Sequence, residues 1–205
     1  MKRWNKFLFL VVILCVGFFE SGAEAQRRAR NEQSQFDSAL VREAERVSGD
    51  RFTISTTTPN GAIVYAVRQP NRATLQAIDN GFDDLFALAR KNNYRSRLNY
   101  SDYTIFIARA DRNKDSTGNY SPDIAVAANQ YAGSVYDQGG YVYAAGMVVG
   151  YNPSAFMIAE HERNLQRITD VVRFEGEHIV LYHNDRRKYR QTADHSKGGG
   201  HPILN

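Results

Sequence analysis

Apolar positions recur along this chain with two periods, and the switches between them mark its elements. Phe36, Leu40, Ala44 and Val47 stand at helical spacing up to Gly49, which predicts a helix over residues 35–48. Residues 51–57 alternate as a strand does, Pro59-Asn60-Gly61 is a turn signal, and residues 62–68 are apolar again, so this stretch predicts a β-hairpin. Pro70-Asn71 opens a long amphipathic helix with Leu75, Ile78, Phe82, Leu85, Phe86 and Ala89 on one stripe, interrupted by Gly81. Strands follow at Tyr103–Ala108, Ile124–Ala128 and Tyr141–Val149. A last helix from about Glu160 to Tyr182 carries Leu165, Ile168, Val172, Ile179 and Tyr182 on its stripe. The order predicts a single α+β domain over residues 35–205, with a mixed, mainly antiparallel sheet packed with helices.

What precedes that domain reads differently. Lys2, Arg3 and Lys6 are followed by an apolar run from Phe7 to Phe19 and then by Ala23-Glu24-Ala25. Cationic, apolar and too short to span a bilayer, then small residues, is the order of a secretory signal peptide, with cleavage expected after Ala25. The expectation is export, to a periplasm or outside the cell, with no stable membrane anchor left after cleavage. Residues 26–34 are polar and arginine-rich and read as a flexible leader.

Composition sharpens this. The 205 residues carry a formal charge of +4, but removing the first 25 takes away three basic and two acidic residues and leaves +3. Residues 184–205 hold five basic and two acidic side chains, so the body before them is neutral. The charge distribution therefore gives little support to a basic groove, and no nucleic-acid partner is expected. Cys15 and Trp4 both lie in the signal segment. The exported domain is then thiol-free, and any metal site in it must use His, Asp and Glu.

All five histidines, His161, His178, His183, His195 and His201, fall in the last 45 residues. Glu175 stands on the apolar stripe of the last helix with His178 one turn on. A carboxylate there is costly unless a proton, a cation or hydrogen bonds satisfy it. Glu177 falls on the side of Arg173 and reads as its solvated i,i+4 partner; His161 reads as a surface residue.

The segment Val171-Val172-Arg173-Phe174-Glu175-Gly176-Glu177-His178-Ile179-Val180-Leu181 resembles the active-site helix of the zincin metallopeptidases, whose core motif is His-Glu-x-x-His. The preceding order of elements is similar to the minimal zincin scaffold over roughly residues 62–205. The resemblance implies Glu175 as general base and His178 as the second zinc ligand. The chain departs from the pattern at the first ligand position, where Phe174 has no metal-binding atom. It also lacks the metzincin extension, with Leu181 in place of glycine and His183 one residue short of the third histidine.

Ligands to complete a centre are available in the tail. Zinc takes about three protein ligands at a catalytic site and leaves one position open, and Gly198-Gly199-Gly200 lets the chain fold sharply between His195 and His201. The expected ligands are His178, His195 and His201, with Glu175 as base or fourth ligand, and His183 and Asp185 as partners orienting an imidazole or as alternative ligands. The function expected from this set is zinc-dependent hydrolysis of a peptide or other small amide by a metal-bound water.

The competing reading is a non-catalytic exported binding or structural domain. Its histidines form a structural clasp in the tail, and the tyrosine- and glycine-rich stretch from Tyr131 to Tyr151 contacts a partner. The tyrosines from Tyr94 to Tyr151 fit a binding face less well than they fit a half-buried sheet. Asp111-Arg112-Asn113-Lys114-Asp115 alternates oxygen donors like a calcium loop, but Ser116 and Pro122 replace the glycine and glutamate such a loop needs, so it reads as a polar loop. Asp194-His195 beside glycines suggests a nuclease site only faintly, without a basic groove to support one.

Overall fold

Two strands with no polar face organise the molecule. Tyr103–Ala108 and Ser154–Ala159 are buried at all six positions each, so both must be covered on both sides of the sheet. The computed structural model describes residues 38–110, 124–126, 142–161 and 163–204. The chain divides into a unit of Met1–Ala39, nearly all of it outside the described residues, and a unit of Leu40–Asn205. The expected signal peptide, the leader, the oxygen-rich loop from Asp111 and residues 131–140 lie outside the described residues.

After a first helix, α1 (residues 38–48), the described elements are β1 (Ile54–Thr57), β2 (Ile63–Ala66), α2 (Arg72–Lys91), β3 (Tyr103–Ala108), β4 (Ile124–Val126), β5 (Val142–Ala144), β6 (Gly146–Tyr151), β7 (Ser154–Ala159), α3 (Leu165–Asn184) and α4 (Arg186–Thr192). Five strands form one sheet in the order β1-β2-β3-β7-β6, and β4 pairs with β5 separately. The inner pairings β2–β3 and β3–β7 are parallel, and the outer pairings β1–β2 and β7–β6 are antiparallel. With β4–β5 also antiparallel, the fold is α+β with a mixed sheet, as the periodicity predicts.

Side-chain alternation divides the core between the two faces. On one face Val64, Tyr103, Ile105, Ile107, Phe156 and Ile158 meet Ile78, Phe82 and Leu85 of α2 and Ile168, Val172 and Ile179 of α3. On the other, Phe106, Ala108, Ala155, Met157 and Ala159 meet Leu40, Ala44 and Val47 of α1. Tyr103 is 1% exposed and donates its hydroxyl to the Arg97 carbonyl at 2.7 Å, while Tyr100 packs edge-on against Phe86. These tyrosines serve the core.

The main departure from the predicted elements is β7, which the pattern did not indicate. Ser154–Ala159 has no alternation because both faces are covered, and a short apolar run gives no period from which to tell strand from helix. The expected strand Tyr141–Val149 breaks at Ala145: its first part pairs with β4 and its second turns through Asn152–Pro153 to pair with β7. The last helix starts at Leu165 instead of Glu160, because Asn164 caps it by accepting the Arg167 N–H at 3.1 Å.

Gly81 and α3 fix how closely the two long helices approach. Thr169 donates its hydroxyl across the interface to the Ala77 carbonyl at 3.1 Å. A Cβ at Gly81 would lie 2.7 Å from the Thr169 carbonyl oxygen and 2.8 Å from the Val172 Cβ, neither of which can rotate aside. Gly81→Ala should therefore lower stability by about 1–3 kcal/mol in denaturant titration, overpacking outweighing the ~1 kcal/mol gained in helix propensity. A stabilised variant would show that the helices separate freely.

Candidate metal centre

A stretch of α3 is buried all round: Gly176, Glu177, His178, Ile179, Val180 and Leu181 are consecutive buried residues. One side faces the sheet and α2; the other is covered by the chain that follows the helix. Asp185 ends α3 and starts α4 by accepting the Lys188 N–H at 2.9 Å. A short 3-10 turn spans His195–Lys197, Gly198 takes φ +81, and the Gly199 N–H returns to the Asp194 carbonyl at 3.1 Å. That left-handed position favours glycine, and it brings the chain back along α3. Ile203, 3% exposed, then plugs into the core beside the helix.

The result is a convergence of imidazoles. Nitrogens of His178, His195 and His201 all lie within 4.8 Å of one another. Ring centroids are 5.1 Å apart for His178 and His195, 5.0 Å for His178 and His201, and 4.8 Å for His195 and His201. Zinc bonded to nitrogens at about 2.0–2.1 Å spaces tetrahedral donors by roughly 3.4 Å, so holding an ion requires this triangle to tighten. Burial, reinforced by the charges of His201 and His195, pushes His178 down to about 3; burial first, then His201, lowers His195 as well. Both are neutral at physiological pH, the state in which imidazole donates a lone pair. The donor set fits a divalent transition metal.

Glu175 lies on the sheet side of α3. A Cβ at Gly146 of β6 would sit 2.7 Å from Glu175 Cγ and 3.0 Å from its Oε1, next to Val171. The carboxyl is therefore on the apolar stripe, against the edge strand, and desolvation raises it to about 8. The side chain is half-buried, and keeping the proton lowers the cost of its desolvation.

The carboxylate that touches the histidines is a different one. Glu177, expected in solvent beside Arg173, is 0% exposed: Oε1 accepts the Ile203 N–H at 2.9 Å and Oε2 lies 3.4 Å from His201 Nδ1. Arg173 pairs instead with Asp170 at 3.6 Å and Asp84 at 4.0 Å. The correction has a simple cause: helical periodicity assumes one wet face, and here the tail covers that face. Phe174 stacks on His201 at 4.6 Å with 27° between the rings, and at 39% it is the exposed large hydrophobic side chain among the described residues. Of the expected supporting residues, His183 bonds the Tyr151 carbonyl at 2.7 Å and Asp185 caps α4, so both make their contacts at the α3–α4 junction. His161 is half-buried in the linker before α3 and is not one of the clustered imidazoles.

Comparison with protein-family models, curated proteins and solved structures gives no match to this chain.

The Glu175 proton has a measurable consequence. The folded protein holds it up to about pH 8, whereas the ordinary carboxyl value is 4.5. The associated stability is complete below 4.5 and is lost as pH rises through about 8. Glu175→Gln removes that loss. Its denaturation midpoint should exceed the parent's above that pH and converge with it near 4.5; a gap independent of pH would rule out a desolvated, protonated carboxyl.

Proposed function

We propose that this protein is an exported zinc-dependent hydrolase of peptide or related amide bonds, with His178, His195 and His201 as ligands and Glu175 as general base. The observation that carries the reading is the meeting of three imidazoles, two of them held neutral by burial, from a helix and from the tail beside it. Three protein ligands leave one coordination position open, and zinc supplies Lewis acidity that makes water reactive near neutral pH.

The chain's own residues divide the remaining tasks. His178 is presented by a rigid helix and is oriented by burial on all sides. Glu175, one helical turn earlier, lies against β6, the last strand on that side of the sheet among the described residues. Glu175 and His178 stand three residues apart on α3, so a base and a ligand come from neighbouring turns of one helix. A nearby divalent charge favours the carboxylate form and opposes the effect of burial on Glu175. This division agrees with the zincin resemblance of residues 171–181, with His195 and His201 making up for Phe174. Export rests on the signal-like order of residues 1–25. Among the described residues no helix is long and apolar enough to cross a membrane.

A second reading, a non-catalytic exported domain in which the histidines clasp the tail, is favoured by the Ile203–Glu177 bond, which fastens the same segment. Metal analysis and one pair of variants separate the two. The hydrolase reading expects close to one equivalent of metal, loss of that metal in His178→Ala, and a Glu175→Gln variant that keeps the metal with turnover down by about 10²–10⁴-fold. Metal well below one equivalent refutes the centre. Bound metal without hydrolysis of any peptide library member favours the clasp.

A further inference from the structure

We propose that Glu177 is the positioning residue of this centre: it holds the proton of His201 on Nδ1 and so leaves Nε2 as the ligand atom. The proposal rests on the metal-site reading and adds to it a residue at an unassigned position inside the His-Glu-x-x-His pattern, the second x. Two orphaned atoms carry it. Glu177 Oε2 and His201 Nδ1 are both buried and lack a hydrogen-bond partner, yet they lie 3.4 Å apart. A proton on Nδ1 directed at Oε2 resolves both at once, after a small shift and reorientation of the pair. The other tautomer places two lone pairs against each other in the interior, where neither reaches water.

The rest of the surroundings makes this a fixed arrangement. Glu177 is fully buried, and its Oε1 is anchored by the Ile203 N–H at 2.9 Å, so the carboxylate does not rotate away. The His201 ring lies flat against Phe174 at 4.6 Å, which restricts its own rotation. Phe174 thus walls the ring while Glu177 selects its nitrogen. A carboxylate behind an imidazole strengthens it as a ligand, and loss of such a partner typically weakens metal binding about 10–100-fold.

Glu177→Gln is the discriminating variant, because the amide oxygen still accepts from Ile203 while the amide NH₂ donates toward His201 Nδ1. Two-bond ¹H–¹⁵N spectra of the metal-free full chain report the tautomer, with His201→Gln identifying the resonance, and chelator competition reports zinc affinity. The expected results are an Nδ1–H tautomer in the parent, an Nε2–H tautomer in Glu177→Gln, and zinc affinity lowered about 10–100-fold while the Ile203 amide stays protected from exchange. An Nε2–H tautomer in the parent overturns the proposal whatever the variant does, and so does unchanged zinc affinity in Glu177→Gln. A parent that shows Nδ1–H but takes up no zinc overturns the metal reading, and its tautomer still supports the role of Glu177.

Discussion

A carboxylate with no access to water has to be satisfied, and at Glu177 this requirement dictates the course of the chain after α3. Its position on a helix already packed against a sheet and a second helix means that its partners must come from elsewhere in the sequence. They come from the tail, as the Ile203 N–H and the His201 ring. Isolated burial of such a charge would cost several kcal/mol, so the tail and the helix stabilise each other and neither is in its native surroundings alone. The same docking carries His195 and His201 to His178. Convergence of the three imidazoles is in this sense a by-product of solving a desolvation problem.

The sheet makes that docking reproducible. β3 and β7, covered on both faces, leave α3 one place to lie, alongside α2 and over Phe156 and Ile158. The close approach at Gly81 then sets the depth of α3 against α2, and the contact of Glu175 with Gly146 sets its rotation about its own axis. With depth and rotation fixed, the outward side of α3 presents Phe174 and His178 together to the tail.

Much of this was legible in the sequence. The two long helices, the hairpin, β3 and the α+β class follow from periodicity, and His178, His195 and His201 stand out because histidine is confined to the chain's last part. Glu175 on the apolar stripe was also readable, and its raised proton affinity agrees with the expectation that a proton could satisfy it. Three things were not. β7 shows no alternation because it has no exposed face. Glu177 looks like a surface residue on a helical wheel, since a wheel contains no information about a segment eighteen or more positions later that returns to cover it. His183 and Asp185 have the right chemistry and the right neighbourhood in sequence, but the α3–α4 junction turns them toward Tyr151 and Lys188. Local patterns encode elements; what encloses an element is set by the whole chain.

The segment linking His178 to His195 contributes α4, none of whose residues is fully buried. Loop-closure entropy grows only as the logarithm of length, so doubling such a connection costs about 0.6 kcal/mol. Spacing along the chain is therefore a loose property of this centre, whereas the identities at 174, 177, 178, 195, 201 and 203 are bound together by direct contact. A pattern with fixed gaps is the wrong instrument for finding other centres of this construction. A helix pair Glu-His, followed at any tolerable distance by two histidines and then an apolar residue whose amide can reach the glutamate, describes what the physics holds constant.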